Sequence, residues 1–404
     1  FGSRQLRGLA CGRGAPAPRP RACAMRRPFS AAALLWAAWV RGAEAACAVA
    51  DFSLMHTLSP QVQDTTRALA SVPAASNSGT GLLVAGGEDQ KLRVWSLSGS
   101  AGSITASLTN TLGSVHGTIW DLVWIDSQSL LASGSGDGFI RLWPLSVLNT
   151  QQACHVEALG NGNALCCDGD GLGCEGASVV SWRDAGMPSS SQVHAIAWIE
   201  SQSILASAWG DGVVRLWTYN AANTPPLAYR NSLSPTGRAY SLGWLTTPSQ
   251  LAVASPDWPD PELWDKDGTT SAATTLTDSG GCPFSHCGGV HTSGAKSDGT
   301  VVATGSQDGK VKLWTASTGA VAHTVDMGAI VTSLAWADSD AKLLSGDESG
   351  NIMRWDPADT GTTAAKQTLV AHTSKVTRLL WMGSVDTLAS ASADLTIKLW
   401  KCTA

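Results

Sequence analysis

At 404 residues the chain is long enough for two or three domains or for one large all-β domain, and with 44% hydrophobic and 15% charged residues it is globular in composition. Its net charge is −5, but residues 1–45 hold eight of the 27 basic residues and one of the 32 acidic ones, so the remainder carries 19 against 31, a net of −12. A body that acidic repels phosphate backbones and anionic lipid, which argues against sequence-independent nucleic-acid or membrane-surface binding.

The first 45 residues stand apart. Met25, the basic pair Arg26 and Arg27, an apolar run over Ala31–Val40 and the small residues before Ala46 have the layout of a secretory signal peptide cleaved after Ala45. The apolar run is too short to span a bilayer. A translated untranslated region, a transit peptide and a twin-arginine signal are the other readings. The expected location is the secretory pathway or an organelle lumen if this segment is a signal, and cytoplasmic otherwise.

From residue 46 onward one phrase recurs. It reads LLASGSGDGFIRLW at Leu130–Trp143, ILASAWGDGVVRLW at Ile204–Trp217, VVATGSQDGKVKLW at Val301–Trp314 and TLASASADLTIKLW at Thr387–Trp400. Seven units close on Trp95, Trp143, Trp217, Trp264, Trp314, Trp355 and Trp400, and a longer step between Trp143 and Trp217 marks a Cys/Gly-rich insertion at about 146–190. Within a unit, short β-branched runs alternate with Gly/Asp/Ser turns, predicting four strands. So small a sheet cannot cover its own apolar faces, so neighbouring units must stack and the array must close. The expectation is all-β: a seven-bladed propeller of four-stranded blades over residues 46–404.

These units resemble WD40 repeats. Trp264-Asp265 and Trp355-Asp356 carry the literal pair, and three units match the family's His–Ser/Thr–Asp–Trp set: His116, Ser133, Asp137 and Trp143; His286, Thr304, Asp308 and Trp314; His372, Ser390, Asp394 and Trp400. In the family the His donates to the Asp, and the Ser links the His to the Trp indole, so the resemblance implies structural networks and not a hydrolase triad. It also implies ring closure by an N-terminal strand within Ala48–Leu58, joining the last blade as its outer strand. Cys47 would then lie near Cys402, and a disulfide there would lock the ring. Three units depart from the pattern and are expected to be looser. The fourth carries Pro256, Pro259 and Pro261, which remove ladder donors or form a displayed loop. The sixth has Ser349 in the Asp position, and the first has Ala85 in the Ser position.

Of the ten cysteines, eight lie beyond residue 45, an even number that reads as disulfides in an exported chain. Cys47–Cys402 and Cys282–Cys287 are the expected pairs; Cys154, Cys166, Cys167 and Cys174 are left unassigned. Zinc at those four lacks C-x2-C spacing, and calcium at Asp168 and Asp170 fails the EF-hand pattern. No cofactor, metal site or catalytic residue is indicated.

Members of the family resemble one another in using the face where each blade's first strand begins. The first outward position there holds Arg67, Trp120, His194, Tyr240, His291, Thr332 and Thr377. The second holds Thr65, Thr118, Gln192, Arg238, Gly289, Ile330 and Lys375. Five blades thus present Arg, Trp, His, Tyr and His, and Trp, Tyr and Arg are the residue types enriched at binding hot spots. Packing between blades is the plainer role for Trp120 and Tyr240. The resulting expectation is a non-enzymatic scaffold, a monomeric propeller within a larger complex, holding a protein or peptide partner through Arg67, Trp120, His194, Tyr240, His291, Arg238 and Lys375. The rival is a secreted or organelle-lumen propeller, conceivably an enzyme, binding a small molecule or metal at His194, Tyr240 and His291.

Overall fold

The computed structural model describes residues 52–58, 64–100, 103–113, 117–150, 155–159, 162–166, 179–182, 191–223, 226–265, 267, 274–278, 284–337, 342–357 and 367–402. The predicted signal segment, Cys47, Cys154, Cys167, Cys174, Cys282 and His116 lie outside them. Seven four-stranded antiparallel sheets are present among the described residues, with first strands Thr66–Val72, Ile119–Ile125, Val193–Ile199, Ser241–Leu245, Val290–Ala295, Val331–Ala337 and Val376–Met382. Each first strand packs on the next blade's, and the last packs on the first, so the circuit is closed.

Closure is of the expected kind. The strand Phe52–Thr57 pairs antiparallel with Ile397–Cys402, Phe52 opposite Cys402, and supplies the seventh blade's outer strand. The backbone of Cys402 is therefore well placed, while its expected partner Cys47 lies outside the described residues. The long step in the second blade also has a simple topology. Val180–Trp182 returns as that blade's fourth strand, pairing with Ile140–Pro144. Between them run the short helix Leu145–Asn149 and a hairpin of His155–Leu159 with Gly162–Cys166.

The core lies between blades, where apolar residues of neighbouring sheets merge. Leu82 and Val84 of the first blade pack with Ile119, Leu131 and Trp143 of the second, and Ile140 and Leu142 of the second pack with Val193 and Trp217 of the third. This explains why the strands read as near-continuous apolar runs and not as alternation: both faces of each blade are covered. It also explains a small residue in the second strand. A Cβ on Gly134 would lie 2.7 Å from Val193 Cγ1, and one on Gly305 would lie 2.4 Å from Val331 Cγ1. The glycine is the socket for the β-branched residue that opens the next blade.

Two of the three predicted hydrogen-bonded sets lie wholly within the described residues, and both form. His286 Nδ1 lies 3.1 Å from Asp308, its Nε2 2.9 Å from Thr304 Oγ1, and Trp314 Nε1 donates to Thr304 at 2.7 Å. His372, Ser390, Asp394 and Trp400 repeat the arrangement at 2.8–2.9 Å. Burial opposes ionisation of Asp308, but His286 and the amides of Cys287 and Lys310 outweigh it and hold the carboxyl at about 2. In the second blade Trp143 donates to Ser133 at 2.9 Å, and Asp137 is clamped by Arg141, Nη2 to Oδ2 at 2.6 Å. In the third blade Trp209 Nε1 donates to Ser207 at 2.8 Å alongside Trp217 at 2.7 Å.

Two of the three departures are not loose ends. Pro259 and Pro261 sit inside the strand Trp258–Asp265, and their carbonyls accept from His286 N and Leu276 N, so the segment is ladder and not a displayed loop. In the sixth blade Asp347, 1% exposed, takes over the turn. It accepts from Ser349 N at 2.9 Å, Asn351 N at 2.8 Å and Asn351 Nδ2 at 2.9 Å. The first blade does carry a defect, since the buried Trp95 Nε1 has no acceptor opposite Ala85 among the described residues, and the closing Trp355 Nε1 of the sixth blade is likewise unpartnered there.

Candidate binding face

The first-position side chains, half-buried apart from the buried His194, leave the ladder through a backbone device. The ladder register shifts between Thr66 and Ala68, Ile119 and Asp121, Val193 and Ala195, Val290 and Thr292, Val331 and Ser333, and Val376 and Arg378. Arg67, Trp120, His194, His291, Thr332 and Thr377 are therefore the extra residues of β-bulges, which re-aim a side chain out of the sheet. The second position anchors the rim from its backbone. The carbonyls of Thr65, Thr118, Gln192, Gly289, Ile330 and Lys375 accept the amides of Glu88, Gly136, Gly210, Gln307, Glu348 and Ala393 at 2.8–3.0 Å. Each of those donors sits in the turn between the blade's second and third strands, so three positions per blade converge on one rim.

On that rim, blades one to four form a continuous stacked arc. The Arg67 guanidinium lies over Trp120, 5.5 Å from the ring centroid. Trp120 meets His194 edge-on at 5.5 Å, and His194 stacks on Tyr240 at 4.2 Å with planes 16° apart. Arg238 closes the arc over Tyr240 at 5.9 Å. Glycines at the turn positions of blades two and three make the room. A Cβ on Gly136 would be 3.3 Å from Trp120 Nε1, and one on Gly210 3.4 Å from His194 Nε2. Burial, and then the nearby Arg238 charge, push the His194 imidazole down to about 4, against the pull of Asp257. The ring is neutral at physiological pH and is buried between Trp120 and Tyr240, 9% exposed.

The two arginines at the ends of the arc are already compensated. Arg67 Nε donates to Glu88 at 2.9 Å, and Arg238 holds Asp257 through Nε at 2.7 Å and Nη2 at 3.1 Å. Blades five to seven are different. Thr332 donates to Gly346 O at 3.1 Å and Thr377 to Thr66 O at 2.5 Å, so both hydroxyls turn into the backbone. Burial and Lys375 lower the His291 pKa, with Glu348 opposing. His291 therefore sits in a neighbourhood of Lys375 and Glu348, apart from that of His194, and Gly289 packs its Cα side against the Pro256 carbonyl. Among the described residues no group of three His, Cys, Asp or Glu side chains is arranged to hold a metal.

The counter-ions Glu88 and Asp257, and Glu348 near Lys375 and His291, are neighbours of the rim that the sequence reading passed over. Their signal is positional: Glu88 and Glu348 precede the residue in the turn-Asp position, and Asp257 occupies it. Below the rim, the first strands enclose a cavity of about 250 Å³ lined by Ser71, Asp121, Ser241, Thr292, Ser293 and Arg378 among others. The buried His286 set cannot act on a substrate, because His286 and Thr304 are 0% exposed.

Seven closed four-stranded blades with a bulged, aromatic rim define a seven-bladed β-propeller. The family model described as "WD domain, G-beta repeat" matches residues 107–144, 186–218, 282–315, 320–356 and 364–401, which are blades two, three, five, six and seven. The chain belongs to the WD40-repeat family. The two blades outside the match are the first, with Ala85, and the fourth, with its prolines.

The chain is similar to Cell division cycle 20.5, cofactor of APC complex, of Arabidopsis thaliana: 27% identical over 215 residues, 52% of this chain and 36% of that protein. It is 30% identical to the WD repeat-containing protein slp1 of Schizosaccharomyces pombe over 99 residues, 24% of this chain and 20% of that one. It is 26% identical to the F-box-like/WD repeat-containing protein TBL1X of Mus musculus over 211 residues, 51% of this chain and 31% of that one. These matches span less than half the length of each relative.

Proposed function

We propose that this propeller is a non-enzymatic scaffold that holds a protein or peptide partner on the rim of blades one to four, as one copy within a larger complex. The single observation that carries this is the stacked arc Arg67–Trp120–His194–Tyr240–Arg238. Its Arg, Trp and Tyr are residue types enriched at hot spots, and Arg67, Trp120 and His194 sit on bulges of a rigid sheet. The names of the Arabidopsis relatives, cofactors of the APC complex, support a place inside a larger assembly. The acidic body supports a protein partner over nucleic acid.

Affinity capture from the native source with Trp120→Ala/Tyr240→Ala tests the reading. The variant should fold with an unchanged ring and lose its partner; undiminished capture would end the proposal. Export belongs to the same reading. Cleavage after Ala45 and links at Cys47–Cys402 and Cys282–Cys287 are tested by peptide mapping with and without reduction. A link at Cys287 would favour an oxidising compartment.

A further inference from the structure

The rim is electrostatically lopsided. Arg67 and Arg238 each have a carboxylate in contact, whereas Lys375, half-buried at the start of the seventh blade, has neither ion pair nor hydrogen bond for its ammonium among the described residues. Its place in the ring is fixed. The Lys375 carbonyl is bonded to Ala393 N at 2.9 Å, and two residues on, Thr377 bonds Thr66 O, so Lys375 borders the first blade and Arg67. The threonines of blades six and seven, turned into the backbone, leave a low floor beside it.

We propose, resting on the reading of this rim as a peptide-binding surface, that its ligand is an extended acidic–aromatic peptide: an Asp or Glu side chain seats on Lys375, and an aromatic or long apolar side chain lies against the half-buried Trp120 and Tyr240, which the buried His194 holds in place. Three observations set that polarity. Lys375 is the rim cation left without a contacting carboxylate, so the acidic residue belongs at the seventh blade. The flat stack begins at the second blade and ends beside a second apolar seat, Trp258 and Phe284, which pack edge-on at 6.0 Å while 36% and 43% exposed. A net acidic body repels an acidic peptide everywhere but here, which guides it to one register. Burial and the Arg67 charge already weaken protonation of Lys375, with Glu348 opposing, so an arriving carboxylate relieves an existing repulsion.

The test uses fluorescence anisotropy with labelled Gly-Ser peptides carrying one Phe and one Asp over a series of spacers, alongside the same peptides with Asn or Lys in place of Asp. The full chain should bind the best Asp peptide about tenfold more tightly than its Asn twin. Lys375→Met should erase that preference and Lys375→Glu transfer it to the Lys peptide, with thermal melts showing an intact ring. Trp120→Ala should weaken all three peptides together. Equal binding of the Asp and Asn peptides, a preference that survives Lys375→Met, or no binding across the series overturns the proposal. The broader reading fails on separate evidence, namely native-partner capture that is unaffected by Trp120→Ala/Tyr240→Ala.

Discussion

Arg378 of the seventh blade and Asp121 of the second lie 2.8 Å apart, although the whole first blade stands between them in the ring. Both come from first strands, and their contact ties non-neighbouring blades across the wall of the central cavity. Asp121 also accepts from Leu122 N and Ile196 N at 3.0 Å, bringing in the third blade. Burial holds its carboxyl above the ordinary range, with Arg378 and the two amides pulling the other way. A folded pKa above the unfolded one means that this group favours folding most at low pH and least once ionised. Arg378→Met removes the counter-charge and should cost about 1–3 kcal/mol near neutrality, the lower end because Arg378 is 38% exposed. The loss should shrink in mildly acidic buffer, as urea melts at two pH values would show.

The orphan indole of the first blade offers a gain. Trp95 Nε1 is buried opposite Ala85, in the position where Ser133 serves Trp143 and Ser390 serves Trp400. Ala85→Ser should stabilise by about 0.5–1.5 kcal/mol. The reverse change, Ser390→Ala, strips the hydroxyl that donates to His372 Nε2 and accepts from Trp400 Nε1 and should cost about 2–4 kcal/mol. Chemical denaturation of the pair measures both signs.

Blade spacing can be tested at one socket. Gly134→Ala drives a methyl into Val193 and should cost about 1–3 kcal/mol through overpacking. Val193→Ala alone leaves a void. Together the two changes should cost less than their sum, and a double-mutant cycle on thermal stability reads the coupling. Strict additivity would show that the blades do not meet there.

Acid should destabilise the propeller through its histidines. The His194 pKa falls from 6.5 to about 4, and those of His291 and His372 are lowered as well, in each case first by burial. Between pH 6.5 and about 4 the unfolded chain takes up protons that the folded one refuses, so stability declines as pH falls through that window. Each histidine contributes a slope below about 1.4 kcal/mol per pH unit, reduced further where solvent reaches the ring. His194→Gln should flatten the dependence of Tm on pH.

Much of this was legible because a propeller repeats its grammar at fixed register. The closing tryptophans marked seven blades, and the spacing from His286 to Trp314 carried a network that the fold reproduces. The first-position residues were legible for the same reason. What stayed hidden depended on partners far along the chain. That Val180–Trp182 completes the second blade is settled by the ladder to Ile140–Pro144 across an insertion with no repeat of its own. Trp209 standing at Ser207 in the third blade, and Asp347 serving the turn that lacks an Asp at Ser349, are substitutions of role and not of residue type. The counter-ions of the arc were missed because each lies about twenty residues from its arginine, in a turn whose text reads only as a connector.

Closure by Phe52–Thr57 has a mechanical consequence. Because this strand runs antiparallel to Ile397–Cys402 with Phe52 facing Cys402, both strand ends meet at one edge of the seventh blade. A tension pulling them apart would peel the ladder one rung at a time and not shear all rungs together. The ring would thus yield first at its clasp, at low force, while the other six blades keep their strands.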